Sequence, residues 1–235
     1  MFTLLIPTHN ESKRILPTLK QVTTALRNMR YRILVVDDSS DPTPAVVQHF
    51  AKKSTVPIQV IHFSKRQGKG GAIAKGLKRC KEDVVLYDAD AATPAREIPK
   101  LVTALKRADL VLGSRYIAGS SCQGVTPFRW FVSRCFNALT RILFGLSFSD
   151  TQCGFKAIRA RVLPNLIQKP FHSTSWEWDV ELLYRAKEQG LRMVEVPTTW
   201  KHVTGSRVET TGTIKTGLQM LKGLLKLRLR LLREA

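Results

Sequence analysis

The chain contains no stretch approaching 18 uncharged apolar residues, so no segment is predicted to cross a membrane as a helix. Acidic residues are scarce. Eighteen Asp and Glu stand against 38 Lys and Arg, a formal charge of +20, which calls for a partner dense in negative charge: nucleic acid, anionic lipid or a phosphorylated substrate. Cysteine is scarce as well, and Cys80, Cys122, Cys135 and Cys153 show neither CxxC spacing nor the crowding of a disulfide-stapled small domain. Reduced thiols in a cytosolic compartment are therefore expected. There is no proline-rich or low-complexity linker to separate two large domains, and the first apolar run starts almost at Met1, which is read as leaving no room for a signal peptide. Neither a Walker pattern nor GxGxxG occurs, so nucleotide hydrolysis and hydride transfer lack their usual sequence support. With 43% hydrophobic residues in 235, the chain can bury one substantial core.

What the sequence does have is alternation. Short β-branched runs at 2–6, 32–36, 58–62, 84–87 and 110–112 are predicted to be buried parallel strands, with helical spacing between them at 16–29, 44–53, 70–78 and 97–107. This is the pattern of an α/β fold: a mostly parallel, Rossmann-like sheet with right-handed crossovers, flanked by helices. In such folds ligands sit at the carboxyl ends of the strands. The unusual polar residues cluster there: Pro7-Thr8-His9-Asn10-Glu11 after the first strand, Asp37-Asp38-Ser39-Ser40 after the second, and Asp88-Ala89-Asp90 after the fourth.

Beyond Tyr116 the alternation stops, and residues 127–148 are predicted to form an amphipathic helix. Phe128, Phe131, Val132, Cys135, Leu139, Ile142 and Leu143 share one face, and Arg129, Ser133, Asn137, Thr140 and Arg141 the other. Residues 214–233 repeat the design, with Ile214, Leu218, Leu221, Leu225 and Leu232 on one side and Lys215, Lys222, Lys226, Arg230 and Arg233 on the other; Arg228 falls near the apolar face. Both segments read as helices that lie in a membrane interface, with ordinary packing against the sheet as the competing reading. The domain expectation is a catalytic unit over 1–210 and a basic, membrane-associating helix over 211–235.

Two carboxylates at i and i+2 after an apolar strand can meet a divalent cation and the diphosphate it bridges, and their oxygen ligands favour Mg²⁺ or Mn²⁺. Asp88 and Asp90 are thus the candidate metal ligands; a lone DxD would read as solvated turn aspartates, and the strand end decides against that. Asp37 and Asp38 are candidates to accept hydrogen bonds from a ribose or base, with a helix-capping turn as the alternative. Lys69-Gly70-Gly71 opens a helix and offers a cation and backbone N–H groups to phosphate.

Taken together, Ile6 to Glu11, Val35 to Ser40, Lys69 to Ala72, Asp88 to Asp90, Gly113-Ser114-Arg115-Tyr116 and Asp150 to Lys156, in this order and spacing, resemble glycosyltransferase family 2 enzymes of GT-A fold. Within that family they are similar to the dolichyl-phosphate mannose and glucose synthases, and Trp176 to Glu181, Val196-Pro197 and Gly205-Ser206-Arg207 look more like the glucosyl branch. The resemblance implies that Pro7, Glu11, Asp38 and Gln152 bind the nucleotide sugar (GDP-mannose or UDP-glucose), that Asp88 and Asp90 hold the metal, and that Arg115, Arg129, Ser133 and Arg207 receive a polyprenyl phosphate acceptor. Mannosyl-branch members often supply a third metal contact where this chain has Ala92, so water and phosphate would complete the shell. The implied reaction is inverting, because the acceptor phosphate, already an anion, attacks the anomeric carbon itself while Asp90 with its metal, Arg115, Arg129 and Arg207 stabilise charge. The implied location is the cytoplasmic face of a membrane. Rival readings are a family 2 enzyme with a soluble or glycan acceptor, which shares the donor motifs, and a non-catalytic nucleic-acid or membrane-binding module. The basic residues follow no known nucleic-acid-binding pattern, so no nucleic-acid partner is expected.

Overall fold

The computed structural model describes residues 1–175, 177–203 and 213–233. Five strands, β1 (Phe2–Thr8), β2 (Tyr31–Asp37), β3 (Ile58–His62), β4 (Asp83–Leu86) and β5 (Leu110–Ser114), lie where the apolar runs predict them. Helices α1 (Ile15–Ala25), α2 (Thr43–Ala51), α3 (Gly68–Leu77) and α4 (Ile98–Leu105) connect them. The sheet order is β3-β2-β1-β4-β7-β5-β8, where β7 is Lys156–Ile158 and β8 is Met193–Pro197. Neighbours pair in parallel except at β7, which runs antiparallel between β4 and β5. That strand was not expected from the pattern. Three residues are too few to show a period, and its identity comes from the gap it fills. A second, two-stranded sheet pairs β6 (Ser121–Gln123) with β9 (Thr199–Lys201).

Both faces of the large sheet are covered, so its strands read as continuous apolar runs. One face buries Leu5, Leu34, Val36, Leu86 and Leu112 against α3, α5 (Pro127–Phe144), α7 (Trp178–Glu188) and the C-terminal helix α8 (Thr213–Leu232). The other buries Ile6, Ile33, Val35 and Val111 against α1 and α4. A short helix, α6 (Leu163–Leu166), precedes α7. The boundary expected between residues 210 and 211 lies outside the described residues, but Leu224, Leu227 and Leu231 of α8 are buried in the same core as the sheet. The described part of this helix is therefore built into the domain.

α5 starts at Thr126, whose hydroxyl accepts the Arg129 N–H, and stops at Phe144 because Gly145 takes a left-handed φ of 59°. The helix turns its polar face inward. Asn137 and Thr140 are buried, and Asn137 Oδ1 accepts from Thr151 N and Oγ1 at 2.9 and 2.8 Å. Its apolar stripe looks out, with Phe128, Phe131 and Ile142 exposed at 57, 61 and 80%. α8 divides into three sectors: Leu224, Leu227 and Leu231 inward, Leu225, Leu229 and Leu232 exposed, and Lys222, Lys226, Arg230 and Arg233 exposed beside them. Arg228 does not join the cations, because its guanidinium lies over the Phe144 and Tyr184 rings at 6.0 and 5.7 Å. The helices α5 and α8 pack together. Among the described residues no helix is long and apolar enough to cross a membrane.

Candidate active site

The carboxyl ends of β1, β2, β4 and β5 open into a cleft of about 540 Å³. Its wall includes nine of the residues singled out from sequence: Pro7, Glu11, Asp38, Lys69, Asp88, Asp90, Arg115, Arg129 and Gln152. These come from seven separate chain segments, which the sheet and the helices α3 and α5 bring together.

Asp88 and Asp90 flank the turn after β4. Ala91, next in the turn, adopts a left-handed φ of 52°, unusual for a residue with a Cβ, and Ala92 N donates to Asp90 Oδ1 at 3.0 Å. Lys69, one residue inside α3, donates to Asp88 Oδ1 at 2.7 Å. Gly154 makes room for this pair, since a Cβ there would stand 2.7 Å from Lys69 Nζ and 2.8 Å from Asp88 Oδ2. Burial pushes the Asp88 carboxyl up, but the Lys69 ammonium, with Lys156 and Arg115 behind it, outweighs burial and holds it below the usual range. Asp90 goes the other way, raised by burial and by the charge of Asp88. Lys69 is held above the usual ammonium range because Asp88 and Asp179 overcome its burial. Two crowded carboxylates, one with a raised proton affinity, are a fitting donor set for a hard divalent cation. No group of three or more His, Cys, Asp or Glu among the described residues could hold a metal alone, so a cation here would take its remaining ligands from diphosphate and water.

Asp37 is corrected by the structure. It is fully buried, and its oxygens accept from Thr8 Oγ1 at 2.6 Å and Ser39 N at 3.1 Å, with His62 Nδ1 at 2.7 Å. It therefore braces the loops after β1 and β2 and offers nothing to a ligand. Asp38 lines the cleft, yet its Oδ2 accepts from Gln67 N and Gly68 N at 2.7 and 3.0 Å, and its Oδ1 lies 2.7 Å from His9 Nδ1. It ties the start of α3 to the sheet. Glu11 is raised by burial despite Arg14 Nε at 2.6 Å.

On the opposite wall Arg115 is forked onto Asp150: Nε to Oδ2 at 2.7 Å, Nη2 to Oδ1 at 2.9 Å, and the Arg115 backbone N to Oδ2 at 3.0 Å. Burial opposes the charge on Asp150, but Arg115 prevails and keeps its carboxyl below the usual range. Arg129 reaches the cleft from α5, with Nη1 3.4 Å from His202 Nδ1. Ser133 does not line the cleft with it. One turn further along α5, its hydroxyl is 2.7 Å from Tyr116 Oη, so of the expected Arg129–Ser133 pair only Arg129 lines the cleft. Arg207 lies outside the described residues.

Sequence reasoning gave no role to Arg14, Glu177, Asp179, Trp200, Gln219 and Met220, all of which line the cleft. Asp179 binds the fully buried Lys156 Nζ at 2.5 Å, and Trp200 lies beside the Arg115 guanidinium at 5.6 Å from ring centre to Cζ. The run Trp176-Glu177-Trp178-Asp179 was visible as a motif, but only the turn into α7 shows that both acids reach the cleft.

The sequence model of the family described as glycosyl transferase family 2 matches residues 3–167. The chain is similar to a dolichyl-phosphate beta-glucosyltransferase of Trichomonas vaginalis, 30% identical over 94% of this chain and 69% of that one. It is 32% identical to a dolichol-phosphate mannosyltransferase of Pyrococcus furiosus over 84% of this chain and 56% of the relative. Among solved structures, glucosyl-3-phosphoglycerate synthase from Mycobacterium tuberculosis in complex with Mn²⁺, UDP-glucose and phosphoglyceric acid superposes with a TM-score of 0.69 at 19% identity, covering 97% of this chain and 79% of that one. At that identity the likeness shows the fold.

Proposed function

Because the chain belongs to glycosyltransferase family 2, we propose that it transfers glucose or mannose from a nucleoside diphosphate sugar to a polyprenyl phosphate of the dolichyl type, with inversion. The observation that carries this reading is the shape of the cleft's surroundings. The helices that contribute Arg129, Gln219 and Met220 to its wall are the ones that expose Phe128, Phe131, Ile142, Leu225, Leu229 and Leu232. An acceptor with a charged phosphate and a long apolar tail matches that juxtaposition, and a small soluble acceptor makes no use of it.

Pro7, Glu11 and Gln152 border the nucleotide's place, while Asp38 shapes it by holding the α3 N-terminus. Asp88 and Asp90 would hold Mg²⁺ or Mn²⁺, which neutralises charge on the leaving diphosphate. Lys69 adds a fixed cation beside the same phosphates. The acceptor phosphate sits between Arg129 and the part of Arg115 not forked onto Asp150. Its oxygen forms the bond to the anomeric carbon as the carbon–diphosphate bond breaks, and no protein base is needed because the nucleophile already carries charge. Trp200 lines that side of the cleft, with the His202 ring beside it.

The protein works as a peripheral enzyme on the cytoplasmic face of an anionic membrane. Its exposed leucines enter the interface while Lys222, Lys226, Arg230 and Arg233 meet head groups, each worth about 1 kcal/mol near the surface. The test is to incubate purified protein, Mn²⁺ or Mg²⁺, UDP-glucose or GDP-mannose, and polyprenyl phosphate in anionic vesicles, and to seek the glycolipid and its anomeric configuration. Transfer to phosphoglyceric acid or a glycan but never to the lipid would refute the acceptor assignment.

A further inference from the structure

The C-terminal helix touches the site machinery at one point. Gly223 of α8 lies flat against the Glu177 carboxylate: a Cβ there would fall onto Glu177 Oε1 and stand 3.0 Å from Glu177 Cγ. Glu177 is buried, lines the cleft, and accepts from Ser173 Oγ through Oε2 at 3.1 Å. The turn bearing Ser173, Thr174 and Glu177 presses its other side onto the start of α3. Gly70 N donates to Thr174 O at 3.0 Å. A Cβ on Gly70 would meet Trp178 Cβ at 2.5 Å and Ser173 O at 2.9 Å, and one on Gly68 would strike Thr174 O. Between Gly68 and Gly70 stands Lys69, bonded to Asp88. The run from α8 through Glu177 and its turn to the Lys69–Asp88 pair thus has glycine at each close approach, and close-packed interiors transmit displacement because they do not compress.

We propose that Gly223 and Glu177 form a joint through which α8 positions the Lys69–Asp88 end of the cleft for the donor diphosphate. The proposal rests on the glycosyltransferase reading above, and it gives the exposed Leu225, Leu229 and Leu232 a second consequence: seating this helix on a membrane is transmitted to the donor site. Gly223 and Glu177 are positioning residues. Neither needs to touch the reacting atoms, and Glu177 acts through Thr174 and α3. Two other contacts hold α8 independently, the Leu224, Leu227 and Leu231 face in the core and Arg228 over Phe144 and Tyr184, so a change at Gly223 can move the joint without unseating the helix.

A double-mutant cycle on the full chain tests this, with affinity for UDP or GDP plus Mn²⁺ measured by calorimetry without vesicles, and thermal melting alongside. Gly223→Ala drives a methyl into the carboxylate and should weaken nucleoside diphosphate binding on the order of 10-fold, since shifts near 1 Å at a positioned site cost up to about 100-fold. In a Glu177→Ala background the methyl has room, so the same change should cost less than about 2-fold. Glu177→Asp withdraws the carboxylate from α8 and should itself weaken binding, with Gly223→Ala restoring part of the loss by refilling the gap. That pair also covers the case in which Gly223→Ala alone fails to fold. Additive effects in the cycle, or unchanged affinity in Gly223→Ala, overturn the joint whether or not the protein sediments with vesicles. Vesicle sedimentation of the unaltered chain tests the membrane reading separately.

Discussion

Replacing Asp150 by Asn should destabilise the protein by about 3–5 kcal/mol, the cost of leaving one member of a buried ion pair without its partner. The Asp150 side chain is fully buried, and the Arg115 side chain is only 16% exposed. Oδ2 accepts two bonds from Arg115, and Oδ1 accepts Nη2 together with a longer contact from Gln152 N at 3.4 Å. Asparagine best keeps its oxygen on the two-bond side, so the amide turns an N–H₂ toward Nη2, losing one charge-assisted bond of about 1.5–3 kcal/mol, with the uncompensated guanidinium supplying the rest. At about 2–4 °C per kcal/mol for a chain of this size, the melting temperature should fall by about 6–20 °C. The sign of the pH effect follows from the depressed carboxyl of Asp150. Its stabilisation is present above the unfolded aspartate pKa and is lost as pH falls through the lower folded value. The gap between parent and variant melting curves should therefore stay constant from about pH 8 to about pH 5 and close only below about 3.9. Scanning calorimetry across pH measures this. A variant that melts within 2 °C of the parent at about pH 7 would show that Arg115 is not held by this fork and is free for the acceptor.

Asp90→Asn should abolish transfer without lowering the melting temperature, because it removes the proposed metal-binding charge and its repulsion with Asp88 without changing core volume; metal titration followed by calorimetry checks the loss of binding. Arg129→Ala should raise the acceptor KM or lower kcat with donor affinity nearly constant, and steady-state kinetics in both substrates would expose an equal donor loss that contradicts its assignment to the acceptor. Phe131→Asp with Ile142→Asp should cut sedimentation with anionic vesicles while leaving donor binding intact, since both side chains are exposed; retained sedimentation would argue against α5 as a membrane face.

The parallel strands and the residues at their ends were legible because a strand buried on both faces announces itself as an apolar run, and the first polar residue marks where it stops. This found Asp88 and Asp90. It could not separate Asp37 from Asp38, because neighbouring residues at a strand end point to opposite sides and only the packed loops decide which side is the cleft. The wheel of α5 separated the buried Asn137 and Thr140 from the exposed Phe128, Phe131 and Ile142 but not which side is interior, and it misplaced Arg141, which is exposed, and Leu143, which packs on the core. Asn137 bonded to Thr151 makes the polar face a good interior surface, and that bond spans segments distant in sequence.

The amino-acid sequence by itself determined the α/β class, the strand-end carboxylates, the helix that carries Lys69 and the family, since each depends on local pattern or on motifs in fixed order. Tertiary structure alone decided the antiparallel β7, the inward turn of Asn137 and Thr140, the removal of Arg228 from the cationic face by stacking on Phe144 and Tyr184, the recruitment of Glu177 and Asp179 to the cleft, and the contact of Gly223 with Glu177. The physical reason is common to these five. Each is a contact between residues far apart along the chain, whose partner is set by which surfaces remain uncovered once the sheet and its first helices have packed.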